Sequence, residues 1–224
     1  MTPASPRIAL LAAGLLVAGS APAAEPYAAT GFPYLLVGVA QPIDPSFALR
    51  ADFGSIAHHR YSGSTSDNDF KGSIKYDRGA LLADWFVLQG GFRLSAGATF
   101  NDAKATVTAS SHGGKITLGG VQYDAPSSLY YVQSELSFPR ATPYVGIGWG
   151  HQQSAPGLSF NFDLGASLGT AKATPLKASP ALASELALNS QGASDLQQEN
   201  RDFQDEVHKL KAIPQLTIGL GYRF

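Results

Sequence analysis

Apolar and polar residues alternate with a period of two along most of the chain. The clearest segments are QLTIGLGYRF (215–224), LSFNFDLGASLG (158–169), FRLSAGATFN (92–101) and FALRADFG (47–54). Successive side chains of a β-strand point to opposite faces, so each segment predicts a strand with one apolar face and one polar or small face. The chain is therefore expected to be all-β.

The first 23 residues have a different pattern. Arg7 precedes the apolar run IALLAAGLLVA (8–18), and Ala21 and Ala23 then satisfy the A-x-A rule for signal-peptide cleavage. The run is too short for a membrane-spanning helix, which needs about 20 residues. We therefore expect residues 1–23 to be a signal peptide and residues 24–224 to form a single exported domain.

Alternation alone does not distinguish a β-sandwich from a β-barrel. The signal peptide, the aromatic residues near strand ends and a last strand that finishes on Phe224 favour a transmembrane β-barrel. Such a barrel presents its apolar faces to lipid and its polar faces to the lumen. These features predict the outer membrane of a Gram-negative cell as the location, with outer-membrane lipid and lipopolysaccharide as partners.

Counting the strands gives seven clear segments. They are 33–41, 46–57, 69–86, 91–108, 129–151, 157–172 and 212–224. The long connections at 58–68, 109–128 and 173–211 are expected outside the cell, and the short turns in the periplasm. If Phe224 lies at the periplasmic rim, the strand at 33–41 runs inward, so an eighth strand must precede it within 24–31. The prediction is an eight-stranded antiparallel barrel.

The segment 129–151 has two interpretations. Its apolar residues stand at even positions before FPRATP (138–143) and at odd positions after it: Val132, Leu136, Phe138, then Val145, Ile147 and Trp149. One strand with a bulge near the two prolines explains this shift, and so do two strands joined by a hairpin. We prefer the single interrupted strand.

Polar residues on the inner faces are the candidate lumen-lining residues. They are Arg50, Asp52, Arg78, Asp84, Arg93, Asn161, Asp163 and Arg223. Asp84 and Arg93 flank FVLQGG (86–91) and are expected to face each other across a hairpin. The set can act as a charge ladder for a zwitterionic or cationic solute, or as an internal ion-pair network. The near balance of signs in a narrow barrel favours the network, although inward glycines such as Gly146 and Gly148 could leave space for a solute.

One short helix is expected in the last long loop. Residues 194–210 place Leu196, Phe203, Val207 and Leu210 at helical spacing, with Ser194 or Asp195 as the N-cap. This helix would lie above the outer mouth, where it could act as a gate or simply pack on the loop.

Composition and motifs narrow the function classes. The formal net charge of −1 and the lack of a basic stripe give no reason to expect nucleic acid. The five histidines, expected near surface loops and turns, have no metal-ligand spacing: His58, His59, His112, His151 and His208. Neither a GxSxG elbow nor a Walker loop occurs. No catalytic residue, metal or cofactor is therefore expected, although a lipid-modifying enzyme built from distant residues leaves no local motif.

Three segments resemble a known family: ATPYVGIGWG (141–150), DWFVLQGGFRLSAGATFND (84–102) and HGGKITLGGVQYD (112–124). They are similar to the CarO family of small proteobacterial outer-membrane barrels and more distantly to OmpA- and OmpW-like barrels. The similarity covers most of residues 25–224. It implies eight strands, a C-terminal insertion signal for the barrel assembly machinery, and a porin-like passive channel for small solutes such as ornithine and other amino acids. A plugged structural or adhesive barrel is the alternative function.

Overall fold

The computed structural model describes residues 24–65, 68–88, 90–152 and 155–224, so the predicted signal peptide lies outside the described residues. Within these ranges the chain forms thirteen strands and two helices. The strands are β1 (Glu25–Phe32), β2 (Leu35–Asp44), β3 (Phe47–Ser64), β4 (Asn68–Trp85), β5 (Phe92–Ser111), β6 (Lys115–Leu118), β7 (Val121–Asp124), β8 (Tyr131–Ser137), β9 (Ala141–Trp149), β10 (Gly157–Leu168), β11 (Lys172–Ala173), β12 (Lys177–Ala178) and β13 (Ala212–Arg223). The helices are α1 (Pro180–Leu188) and α2 (Gly192–His208).

Eight antiparallel strands close into a hydrogen-bonded ring. Its order is β1, β2, β3, β4, β5, then β8 and β9 as one interrupted strand, then β10 and β13, and β13 pairs again with β1. The predicted eight-stranded antiparallel barrel is confirmed. The eighth strand that had to precede residue 33 is β1, which joins β2 through a two-residue connection.

The interrupted strand continues without a bulge, so that part of the prediction is wrong. Both β8 and β9 pair with β5, and the last pair before the gap is Lys104 with Ser137, while the first after it is Phe100 with Ala141. Four residues separate these pairs on each strand, so the register is unchanged. Even positions face inward throughout, and the apolar Val132 and Phe138 are buried on that inner side. The apolar positions shift because the inner face is buried against protein before the interruption, whereas the outer face is the apolar one after it.

Part of the predicted loop at 58–68 is strand. β3 runs to Ser64 and β4 begins at Asn68, with a register shift between Ile56 and His59. Beyond the apolar band of the barrel both faces of these strands can be polar, because neither contacts lipid. The alternation that identifies a strand therefore disappears while the hydrogen-bonded ladder continues.

A small folded unit, the outer cap, sits at the end of the barrel opposite Glu25 and Phe224. It consists of the β6–β7 hairpin with α1 and α2, and its buried residues include Ile116, Leu118, Leu182 and Leu186. The Tyr123 hydroxyl donates a hydrogen bond to Asp195 of α2, and burial together with this carboxylate raises the pKa of Tyr123 to about 12. The cap explains why Val132 is apolar, since this residue of β8 packs into the same core.

The last loop holds two helices where the sequence predicted one. Ser179 caps α1 by accepting a hydrogen bond from the Leu182 amide, and Pro180 occupies its first turn. The second helix starts at Gly192 with Gln191 at the cap position, so the predicted cap at Ser194 or Asp195 is wrong. Of the helices in the described part of the chain, none has the length and apolarity needed to cross a membrane.

The outside of the ring is a continuous apolar band. Exposed large apolar side chains occur on all eight strands, for example Phe32, Val37, Leu49, Leu81, Leu94, Phe100, Val145, Ile147, Leu164, Leu216, Ile218 and Leu220. An aromatic girdle marks the end that carries the β2–β3, β4–β5 and β9–β10 turns, and its members are Phe47, Trp85, Trp149, Tyr222 and Phe224. From strand rise and tilt the band is about 20 Å tall. Such a surface is unstable in water and matches a lipid bilayer.

Candidate functional site

All eight candidate lumen residues lie inside the ring. Each of them is buried, with at most 9% of its surface exposed. They are Arg50, Asp52, Arg78, Asp84, Arg93, Asn161, Asp163 and Arg223. Their inward orientation follows from the period of two, because each strand places its apolar residues on the lipid side.

A central cluster of four charges joins strands around the ring: Arg50 on β3, Asp84 on β4, Arg93 on β5 and Asp163 on β10. The Arg50 Nε lies 2.6 Å from Asp84 Oδ2, and its Nη2 lies 3.1 Å from Asp163 Oδ1. The Arg93 Nη2 lies 2.6 Å from Asp163 Oδ1, and its Nε lies 3.3 Å from Asp84 Oδ2. Each arginine thus contacts both carboxylates, so the cluster is neutral and internally paired.

This cluster spans the diameter of the barrel. In the eight-stranded ring β3 and β10 are separated by three strands in either direction, so they stand opposite each other. The guanidinium of Arg50 nevertheless reaches the carboxylate of Asp163 at hydrogen-bond distance. Side chains from opposite walls therefore meet in the middle of the ring at this level. The four charged side chains thus occupy the centre of the lumen.

Asp84 and Arg93 contact each other, but not directly across the hairpin as expected. The residue that stands opposite Asp84 in the register is Ser95, whose hydroxyl donates to Asp84 Oδ1 at 2.6 Å. Arg93 lies one inward position nearer the turn, opposite Gly148 on the other side, and reaches Asp84 diagonally. The pair is therefore part of the four-membered cluster.

A second group of contacts lies on the cap side of the central cluster. Arg78 Nη1 is 2.7 Å from Asp52 Oδ1, and the hydroxyl of Tyr27 donates to the other oxygen of Asp52 at 3.2 Å. The Arg78 guanidinium also lies over the rings of Tyr34 and Tyr144, at 5.3 and 5.4 Å from their centroids. These cation–π contacts fill the lumen with aromatic rings as well as charges.

Uncharged polar side chains continue the filling toward the outer cap. The hydroxyls of Thr99 and Thr142 lie 2.7 Å apart, and Thr99 also donates to Ser167 at 3.0 Å. Gln215 bridges Ser167 and Tyr34, with distances of 2.7 and 2.5 Å. The interior is thus hydrogen-bonded over much of its length.

A closure network joins the first strand to the last: Glu25, His151, Ser159 and Arg223. The Glu25 carboxylate accepts hydrogen bonds from Arg223 and from the Ser159 hydroxyl, and its Oε1 lies 2.9 Å from His151 Nδ1. The His151 ring packs on Tyr27, with centroids 4.4 Å apart. Since β1 and β13 are the strands whose pairing closes the ring, this network lies at the seam of the barrel.

Sequence reasoning missed Glu25 and His151. Glu25 is the second residue after the predicted cleavage site and belongs to no alternating run, and His151 follows a strand in a turn. His151 is 1% exposed, so its predicted place among surface histidines is wrong. Its φ of 63° puts it in the left-handed region that allows its side chain to turn back into the barrel. Charge balance was the available signal, because Arg223 needed a buried partner.

The inward glycines make room for large side chains. A Cβ on Gly148 would lie 2.9 Å from the guanidinium carbon of Arg93. A Cβ on Gly165 would lie 2.3 Å from the Tyr144 hydroxyl, and one on Gly38 would lie 2.6 Å from the Tyr27 ring. The space that these glycines leave is occupied by arginine and tyrosine side chains.

Replacement of Gly165 by alanine is therefore expected to lower the free energy of unfolding by about 1–3 kcal/mol, since the new methyl group overpacks the interior against Tyr144. Gly79 is the matched control, because a Cβ there meets nothing within 4 Å. Urea unfolding of the two variants in detergent micelles checks the prediction. Equal stability of the two variants would show that the interior has room for the added group.

The charged residues of the interior do not form a metal site. Among the residues that the structure describes, there is no group of three His, Asp or Glu side chains able to hold a metal ion. Each buried carboxylate of the interior instead contacts an arginine: Glu25, Asp52, Asp84 and Asp163. The arrangement is suited to holding strands together.

Comparison with known proteins identifies the fold. No family model and no curated protein sequence matches the chain. Among solved structures, CarO2 of Acinetobacter baumannii matches with a TM-score of 0.62 at 15% identity, over 92% of this chain and 100% of that one. CarO of the same organism matches with a TM-score of 0.51 at 15% identity, over 91% and 98% of the two chains. The resemblance expected from sequence is confirmed for the fold, which is a CarO-like β-barrel.

Proposed function

We propose that the protein is an outer-membrane β-barrel whose lumen is closed by its own side chains. It is exported by the signal peptide at residues 1–23 and presents the outer cap at the cell surface as a structural element. The porin-like passage of solutes expected from the family resemblance is then not its resting activity. The contact of Arg50 with Asp163 across the diameter carries this proposal.

Placement in the outer membrane is supported by the exterior of the ring. Its apolar band and the aromatic girdle fit a strand-built membrane protein. The β2–β3, β4–β5 and β9–β10 turns and the C-terminal Phe224 lie at the girdle end, and the cap lies at the other end. This asymmetry assigns the girdle end to the periplasm and the cap to the outside.

The closed lumen follows from the physics of narrow barrels. Eight strands enclose a space that side chains can fill, and here the central cluster joins opposite walls. Opening it requires the separation of buried charges, and an unpaired buried charge costs several kcal/mol. Passive diffusion through the resting barrel is therefore expected to be negligible.

A second candidate function is a small-solute channel that opens by side-chain rearrangement. Polar side chains run from Glu25 through the central cluster to Gln215. Asn161, which is fully buried beside the cluster, has no hydrogen-bond partner for either amide atom among the described residues. Such a free amide could contact a small amino-acid-like solute if the neighbouring charges moved apart.

Proteoliposome swelling distinguishes the two functions. Liposomes containing the folded barrel are placed in isotonic glycine, ornithine or lysine, and the optical density is followed over time. The closed barrel predicts swelling no faster than that of empty liposomes, with an open 16-stranded porin as the positive control. Swelling that is selective for one amino acid would instead establish the channel.

Epitope insertions test the orientation. A tag in the Gly113–Gly114 turn or at Ser190 between the helices is expected to bind antibody on intact cells. A tag after Pro45, in the β2–β3 turn, should bind only after the outer membrane is permeabilised. Labelling of the Pro45 tag on intact cells would invert the orientation proposed above.

A further inference from the structure

The outside of the barrel carries a basic pocket just beyond the apolar band, where the β8–β9 strand is interrupted. The pocket has a volume of about 360 Å³. Three of its lining residues are cations on adjacent segments of chain: Lys104 on β5, Arg140 in the interruption and Lys172 on β11. The pocket lies where the regular strand is interrupted at residues 138–140, since Pro139 has no amide hydrogen for the ladder.

The three cations are arranged side by side. Lys104 and Lys172 both pair with Ser137, one from each neighbouring strand. Lys104, Ser137 and Lys172 are all exposed. Within the described chain, neither lysine nor Arg140 has a carboxylate within the 4.0 Å of an ion pair. Asp102 also lines the pocket and lies 2.8 Å from Lys75, which it shares with Asp77. The three cations of the lining outnumber this one carboxylate. The pocket therefore has a net positive charge.

The position of the pocket relative to the apolar band indicates which kind of anion it can bind. Phe100, the last large apolar residue of β5 on the lipid side, lies four residues below Lys104 and is 54% exposed. Its cross-strand neighbour Ala141 follows directly after Arg140. A molecule in the pocket would thus have its acyl chains beside the apolar band and its headgroup among the cations.

We propose that this basic pocket binds a phosphate group of an outer-leaflet glycolipid of the lipid A type. Arginine and lysine are suited to this, since guanidinium binds phosphate oxygens in pairs and ammonium adds a compact charge. Basic pockets at the level of the headgroups are a recurrent form of lipid recognition. The proposal rests on the outer-membrane orientation given above, and it is independent of whether the lumen is closed.

Native mass spectrometry of the purified mature barrel in detergent tests the proposal. The protein is titrated with bisphosphorylated lipid A, with lipid A from which both phosphates have been removed, and with inorganic pyrophosphate. Lipid A should form a one-to-one adduct in preference to its dephosphorylated form. Because each cation near a charged lipid contributes about a factor of five, K104Q/R140Q/K172Q should bind roughly 100-fold more weakly.

The control variant K71Q/K115Q/R201Q removes three cations that do not line the pocket. It should bind lipid A like the wild type. If the triple variant folds poorly, the double variant K104Q/K172Q, which keeps Arg140 at the interruption, replaces it and should bind lipid A with intermediate affinity.

Equal weakening of lipid A binding in the pocket and control variants, or equal binding of dephosphorylated lipid A, would overturn the proposal. Competition by pyrophosphate as strong as that by lipid A would also overturn it, because the site would then bind free anions. These outcomes would leave the closed barrel unaffected, since swelling and conductance test that separately.

Discussion

Replacement of Arg50 by alanine is expected to lower the free energy of unfolding by about 3–5 kcal/mol, because it leaves buried carboxylates without their partner. Arg50 contacts Asp84 and Asp163, and its Nη2 also donates to Ser95. Arg93 alone would then have to neutralise both aspartates. Urea unfolding in detergent micelles, followed by the mobility change of the folded barrel on unheated gels, measures the loss.

The matched control for Arg50 is an ion pair on the outer face. Lys75 contacts Asp77 and Asp102 at 3.0 and 2.8 Å, and its side chain is 50% exposed. Lys75→Ala should cost at most about 1 kcal/mol, since water screens an exposed pair. Equal losses for Arg50→Ala and Lys75→Ala would mean that water reaches the central cluster freely.

The central cluster also predicts non-additive effects. In a double-mutant cycle, Asp84→Ala should lower the free energy of unfolding less in the Arg93→Ala background than in the wild type. The coupling energy is expected to be about 0.5–3 kcal/mol. The coupling cannot account for the whole loss, because Asp84 also contacts Arg50 and Arg93 also contacts Asp163. Strictly additive losses would remove the evidence for a shared network.

The second large effect is expected at the seam of the ring. Glu25→Ala removes the carboxylate that Arg223, His151 and Ser159 all contact, and should destabilise the folded barrel by about 3–5 kcal/mol. Because β1 and β13 close the ring, the loss should appear mainly as a smaller fraction of heat-modifiable barrel after refolding into detergent.

Two variants make the Glu25 result interpretable. Glu25→Gln keeps the shape and part of the hydrogen bonding, so it should lose less stability than the alanine variant. Glu135→Ala removes an exposed carboxylate from β8 and should fold like the wild type. A yield for Glu25→Ala equal to that of Glu135→Ala would show that the closure network does not hold the seam.

The barrel and the orientation of its side chains could be predicted from sequence because lipid imposes a strict rule. Where a strand crosses the apolar band, its outward side chains must be apolar, so alternation identifies both the strand and its inner face. Arg50, Asp84 and Asp163 were placed inside in this way. The rule weakens beyond the band, and there the extension of β3 to Ser64 was missed.

Contacts within the lumen could not be predicted, since they depend on register and curvature. Alternation shows that Asp84 and Arg93 face inward, but it does not show that Ser95 stands opposite Asp84. It also cannot show that β3 and β10 oppose each other, which brings Arg50 to Asp163. His151 was missed for a related reason, because a turn residue belongs to no periodic pattern.

The shifted apolar positions of the interrupted strand have a tertiary cause. Val132 is apolar on the inner side because the outer cap covers it, and Phe138 contacts Val207 of α2 in a second buried cluster. A single strand thus changes from a lipid environment to a protein environment without changing its register. The alternation of apolar residues shows which face of a strand is covered by apolar surroundings. It therefore could not distinguish a change of surroundings from a bulge.

Single-channel recording in planar bilayers is the most direct test of the closed lumen. The wild-type barrel should show no steady conductance, with or without basic amino acids. R50S/D163S, which removes the contact across the diameter without changing the net charge, should conduct ions, while the outer-face double variant K75S/D102S should remain silent. A wild-type barrel that conducts steadily, at the same level as R50S/D163S, would contradict the closed lumen.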